Sequence, residues 1–135
     1  MNTLLVVDDH EAFRSFVSGL LNGDRFVVAG VAEDGESALD AVDALHPDVV
    51  LLDIQLPGID GFEVAERLAA RAERPAVVLT STRDAADFGV RLRNAPVIGF
   101  VPKHEMSVAA ITALLDGRAT GGDGVGTTDA ADRRG

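Results

Sequence analysis

The sequence predicts an α/β fold: a doubly wound, five-stranded parallel sheet with helices on both faces. Two observations predict it. Short apolar runs without polar alternation recur five times along the chain, as expected of strands buried on both faces. Between them lie segments whose apolar residues fall at helical spacing, and strict strand–helix alternation implies one parallel sheet with right-handed crossovers. A third observation points to function. The first and third runs end directly in aspartate: Leu4-Leu5-Val6-Val7 in Asp8-Asp9, and Val49-Val50-Leu51-Leu52 in Asp53.

The elements follow in order. Leu4 to Val7 is the first strand, and Phe13, Phe16, Val17, Leu20 and Leu21 mark the helix after it. Phe26 to Ala32 is the second strand, followed by a helix carrying Ala38, Ala41, Val42 and Leu45. The third strand, Val49 to Leu52, runs through Asp53 into Pro57-Gly58, a pair suited to the centre of a type II turn. Asp60 is placed to cap a third helix bearing Phe62, Val64, Ala65 and Leu68. Ala76 to Thr80 is the fourth strand. Phe88, Val90 and Leu92 mark a weaker helix, since Gly89 within it costs about 1 kcal/mol relative to Ala. Ile98 to Val101 is the fifth strand. Val108, Ile111, Leu114 and Leu115 mark the last helix, capped by Ser107 and stopped by Gly117. The domain is therefore expected over 1–117, with a flexible Gly/Asp/Thr-rich tail over 118–135. All six Phe residues read as core.

For five such strands the natural order is 2-1-3-4-5, one of the common doubly wound arrangements. It sets strands one and three side by side at the switch point, where Asp8, Asp9 and Asp53 meet. Like charges that close repel unless a cation or proton joins them. An all-oxygen ligand set at a shallow site calls for a hard divalent ion, Mg2+ first.

Composition narrows the function. The net charge of -10 argues against nucleic-acid binding, which needs clustered Lys and Arg. There is no Cys, hence no disulfide, thiolate site or Cys nucleophile. No apolar run reaches membrane-spanning length and no secretory signal is visible, so a cytoplasmic location is expected. His10, His46 and His104 lack the paired spacing of a histidine metal site, although His10 and His104 should lie near the acidic pocket.

Two further polar residues fall at strand ends. Thr80 closes the fourth strand and could offer its hydroxyl to a phosphoryl oxygen; a turn role is the plainer alternative. Alternation turns the neighbouring Ser81 to the other face. Lys103, the only lysine, lies just past the fifth strand, where a compact positive charge beside three carboxylates could follow a phosphoryl group; a solvated loop lysine is the plainer alternative.

Val6-Val7-Asp8-Asp9-His10, Leu51-Leu52-Asp53 with Pro57-Gly58 and Asp60-Gly61, Val78-Leu79-Thr80-Ser81, and Gly99-Phe100-Val101-Pro102-Lys103 together resemble the receiver domain of two-component response regulators. The likeness covers about Thr3 to Gly117, with the Asp-Asp-His opening nearest to NarL/LuxR-type receivers. The resemblance implies a flavodoxin-like receiver fold and Mg2+-dependent phosphoryl transfer from a histidine kinase to Asp53. Asp8, Asp9, Asp53 and the Gln55 backbone carbonyl would hold the metal, Thr80 and Lys103 would contact the phosphoryl group, and Phe100 would be an aromatic switch, with plain core packing as its alternative. It implies a self-phosphorylating switch with slow autodephosphorylation rather than a turnover enzyme. Partners would be a sensor histidine kinase or phosphotransfer protein, a downstream protein target, and a second copy through the helix 4–strand 5–helix 5 face.

The chain departs from the family pattern in three ways. Pro102 precedes Lys103 and His104, not Pro, follows it; the last helix looks a turn short; and no output domain follows, as in a stand-alone receiver or a fragment of a LuxR-type transcriptional regulator. Two other classes compete. A phosphorylation-independent adaptor of the same fold needs none of the acidic set, and a dehalogenase-type phosphatase needs Asp-x-Asp-x-Thr where this chain has Asp53-Ile54-Gln55.

Overall fold

A computed structural model describes residues 1–121. In chain order these form β1 (Asn2–Val7), α1 (Glu11–Leu21), β2 (Phe26–Ala32), α2 (Gly35–Leu45), β3 (Val49–Asp53), α3 (Gly61–Ala69), β4 (Ala76–Ser81), α4 (Val90–Asn94), β5 (Gly99–Pro102) and α5 (Val108–Gly121), with short 3-10 turns at Ala85–Asp87 and Lys103–Glu105. The sheet is parallel throughout, in the expected order β2-β1-β3-β4-β5.

Alternation along each strand divides the core into two layers. Leu5, Val7, Val50, Leu52, Val77 and Leu79 pack with Ala38, Leu39 and Val42 of α2 and Phe62, Val64, Ala65 and Leu68 of α3. Leu4, Val6, Val49, Leu51 and Val78 face the other way, onto Val17 and Leu21 of α1 and Ile111 of α5. Each fully buried Leu or Val stabilises the fold by about 1.5–3 kcal/mol. β1, β3 and β4 lie inside the sheet and are covered on both sides, so their runs are continuously apolar. β2 is an edge strand, and its exposed Val27 and Val31 reflect that position.

Helix starts follow local chemistry. The Asp34 side chain accepts a hydrogen bond from the Ser37 N–H and caps α2, and that bond, with one from the Ser37 hydroxyl, holds the Asp34 carboxyl below its ordinary range. Asp60 caps α3 as expected, accepting from Glu63 N at 2.9 Å. Ser107 Oγ accepts from Ala110 N at 3.0 Å at the head of α5.

The structure corrects three expectations. Gly117 does not stop α5, which runs fourteen residues to Gly121, so this helix is not short. The assigned tail thus begins within a helix, and its remainder, 122–135, lies outside the described residues. The fourth helix is a 3-10 turn and a five-residue helix parted by Gly89, whose φ of 55° and ψ of -126° suit glycine alone. Finally, Phe16 is 61% exposed on α1 and Phe13 only half-buried, so not every Phe is core.

Candidate functional site

The acidic residues gather at the carboxyl ends of the central strands. β1 pairs with β3 so that Val7 sits opposite Leu52, which brings Asp8 and Asp53 to adjacent strand ends. Asp53 in turn pairs with Thr80, and Thr80 with Val101. One ligand atom from each of Asp8, Asp9, His10 and Asp53 lies within 4.8 Å of the others. Asp8 and Asp53 are buried, whereas the Asp9 side chain is about a third exposed.

Lys103 closes the group. Its ammonium pairs with Asp8 Oδ2 and stands 3.4 Å from Asp53 Oδ2. The lysine reaches there from the 3-10 turn that follows β5, and among the described residues every peptide bond is trans. Asp53 Oδ1 accepts a hydrogen bond from Gln55 N at 3.1 Å, which folds the loop after β3 back over the carboxylate. Burial raises the Asp53 carboxyl to about 6, an effect that Lys103 and the Gln55 N–H oppose and the charge of Asp8 reinforces.

Two glycines make this loop feasible. Gly58, at φ 77°, supplies the left-handed position of the expected Pro57-Gly58 turn. Gly61 brings the head of α3 against β3: a Cβ there would lie 2.4 Å from the Asp53 carbonyl oxygen, and Gly61 N donates to Ile54 O at 2.8 Å.

Whether the residues can hold a metal is tested by one atom. Asp8 Oδ2 is buried and accepts no hydrogen bond, because the Lys103 ammonium lies against it without hydrogen-bond geometry. A buried carboxylate oxygen held by an ion pair alone, with ligand atoms of Asp9 and Asp53 close by, fits a hard divalent cation.

Thr80 does not join this convergence directly. Its buried hydroxyl donates to Val101 O at 2.6 Å, across to β5. Ser81 lies on the opposite face, as alternation requires, yet its hydroxyl comes within 3.4 Å of Gln55 Oε1 and accepts from Arg83 N at 3.0 Å. Phe100 packs half-buried on the α4 side, its ring centroid 6.2 Å from that of Phe88, which stands 5.8 Å from Phe62. A surface cavity of about 380 Å³ lies at the other end of the strands among His46, Asp48, Glu73 and Arg74, remote from the carboxylate cluster.

Three contacting residues are absent from the sequence-based site, and His10 borders it as expected. His10 Nδ1 lies 3.2 Å from Asp8 Oδ1 and 3.1 Å from Asp9 Oδ1, so one of the three histidines does border the acidic group. Arg14 Nη1 donates to Asp8 O at 2.7 Å. The Lys103 ammonium sits 4.3 Å from the ring centroid of Phe13. Gly61 is the third. Their only sequence signal was proximity to Asp8-Asp9 or Asp60.

The comparisons with known proteins agree with this architecture. Residues 4–116 match the response regulator receiver domain, and the chain belongs to that family. It is 39% identical over 114 residues to a positive alginate biosynthesis regulatory protein of Pseudomonas aeruginosa, covering 82% of this chain and 45% of the relative. It is 29% identical over 116 residues to the DNA-binding transcriptional activator EvgA of Escherichia coli, covering 84% and 57%. Among solved structures, the NarL signal receiver domain of Mycobacterium tuberculosis superposes with a TM-score of 0.78 at 33% identity, covering 89% of this chain and 97% of that one. The chain spans about half the length, or less, of the first curated relatives it matches. No helix among the described residues is long and apolar enough to cross a membrane.

Proposed function

We propose that this receiver accepts a phosphoryl group on Asp53 from the phosphohistidine of a sensor kinase or phosphotransfer protein and thereby switches a protein-interaction surface. The observation that carries the reading is the meeting of Lys103 with Asp8 and Asp53 at the carboxyl edge of the sheet. A carboxylate is a poor nucleophile toward an anionic phosphoryl group because the two repel. Asp8, Asp9, Asp53 and the Gln55 backbone carbonyl would hold Mg2+, whose positive charge offsets that repulsion. An Asp53 oxygen attacks phosphorus, the phosphorus–nitrogen bond to the donor imidazole breaks, and Lys103 neutralises charge on the transferred group. Water later attacks the same phosphorus and releases inorganic phosphate, restoring the carboxylate. The chain is a switch with slow self-dephosphorylation, not a turnover enzyme.

Thr80 is the hydroxyl that changes partner, from Val101 O to a phosphoryl oxygen, and Phe100 is the aromatic group that repacks beside it. The surface that responds is formed by α4, β5 and α5, and it serves a downstream protein or a second copy of the chain. Exposed Val90 and the length of α5 support a contact there. The setting is cytoplasmic, and the net charge of -10 speaks against direct contact with nucleic acid by this chain.

Acetyl phosphate with Mg2+ provides the test, read by intact mass and acid lability. The wild-type chain gains one phosphoryl group and Asp53→Asn gains none. An unmodified wild-type chain would favour a phosphorylation-independent adaptor; acid-labile phosphate persisting on Asp53→Asn would place the acceptor elsewhere.

A further inference from the structure

Lys103 must point its ammonium between two carboxylates, yet its backbone is not pinned by a following proline. His104 comes next and pairs outward with Glu105 at 3.3 Å. The lysine side chain is only 12% exposed, so something besides solvent surrounds its nitrogen. Asp8 and Asp53 account for one side of it. On a further side is the ring of Phe13, with its centroid 4.3 Å from the nitrogen.

We infer that Phe13 is a positioning residue for phosphoryl transfer, its ring face seating the Lys103 ammonium at the acidic pocket. The inference rests on the proposed role of Lys103 and extends it to a residue of α1. Phe13 lies in the first turn of that helix, half-buried, packed against the core layer that includes Leu4, Val6, Val17 and Ile111. The helix is anchored beside the pocket by Arg14, whose guanidinium donates to Asp8 O at 2.7 Å. The ring is therefore held by packing on one side and presents its electron-rich face to a cation on the other.

A ring does for this lysine what a third carboxylate could not. It attracts the ammonium without adding negative charge where an anionic phosphoryl group must arrive. It offers no acceptor in hydrogen-bond competition with Asp8, Asp53 or the incoming oxygens. Leucine would fill much of the same apolar volume but has no such face, and this separates positioning from plain packing.

The test uses the full chain and the fact that Lys103 is its only lysine. One lysine ε-methylene signal appears in a carbon–proton NMR spectrum, and a ring below the ammonium shifts it upfield. We expect that shift in wild type and in Phe13→Tyr, and its loss in Phe13→Leu. With acetyl phosphate, Phe13→Leu should lower the maximal phosphorylation rate about tenfold, the scale of a desolvated cation–π contact. The Mg2+ concentration giving half that rate should stay unchanged, and Phe13→Tyr should restore the rate.

An unshifted ε-methylene signal in wild type overturns the inference even if Phe13→Leu fails to fold. So does a folded Phe13→Leu chain that is phosphorylated at the wild-type rate. Failure of the underlying reading looks different: the wild-type signal is shifted, but no phosphoryl group reaches Asp53.

Discussion

The centre of the sheet and its β5 side are built by different means. Around β1 and β3 every strand residue that faces the core is fully covered, and the loop after Asp53 is locked by the Gln55 N–H, by the Asp60 cap and by backbone contact at Gly61. Around β4 and β5 the neighbouring helix has five residues, no side-chain cap and no buried residue. It is held by the Phe62–Phe88–Phe100 contacts and by Arg91, which pairs with Asp60 at 3.2 Å and lies over the Phe62 ring. The first region has one tight arrangement. The second has few contacts to break, which suits the switching surface proposed for it.

Substitutions at the two glycines test this contrast most strongly. Gly61→Ala forces a methyl into the Asp53 carbonyl, backbone against backbone, and should destabilise the fold by about 3 kcal/mol in urea titrations. Gly89→Ala meets no atom and suffers only from its positive φ, so a loss of about 1 kcal/mol is expected. Equal losses would erase the distinction between the rigid and the loose region.

The acidic edge supplies the next test. Asp53 has a folded pKa of about 6 against an ordinary value of 3.8. The folded state therefore holds this proton more tightly than the unfolded chain. Its contribution to stability is complete below about pH 4, declines as pH rises from 4 to 6, and is gone above that window. Metal-free Asp53→Asn should match wild type near pH 4 and exceed it by about 2 kcal/mol at pH 7, a difference that millimolar Mg2+ narrows. Denaturant midpoints measured at both pH values decide it; a difference that ignores pH would mean the carboxylate is not strained by burial.

The smallest effect concerns the clamp on α4. Arg91→Ala should cost no more than about 0.5 kcal/mol globally, since that pair is largely exposed. Amide hydrogen exchange in Val90–Asn94 should nonetheless quicken while α3 is unchanged. Uniform protection in both helices would show that Arg91 contributes nothing to holding the loose side.

What could be read from the residues follows the same division. Buried parallel strands require continuous apolar runs, so β1, β3 and β4 announced themselves, and their terminal aspartates marked the pocket. The Asp60 cap and the Pro57-Gly58 turn were legible because each rests on local chemistry. The course of α5 was not. Gly117 is a poor helix residue, but Ile111 is buried and Leu114 closes over Gly99, and tertiary contacts of that kind override a single weak position. Nor was the seat under Lys103, because a phenylalanine at helical spacing gives one signal whether its ring packs on carbon or faces a cation.

The bond from Thr80 to Val101 sets a threshold. A buried hydroxyl that leaves its carbonyl without gaining a new acceptor forfeits about 1–3 kcal/mol, enough to keep the alternative arrangement a minority of roughly one molecule in six or fewer at rest. On the role proposed for Thr80, thermal motion alone leaves the signal quiet, and any change that weakens this single contact should make the chain leaky.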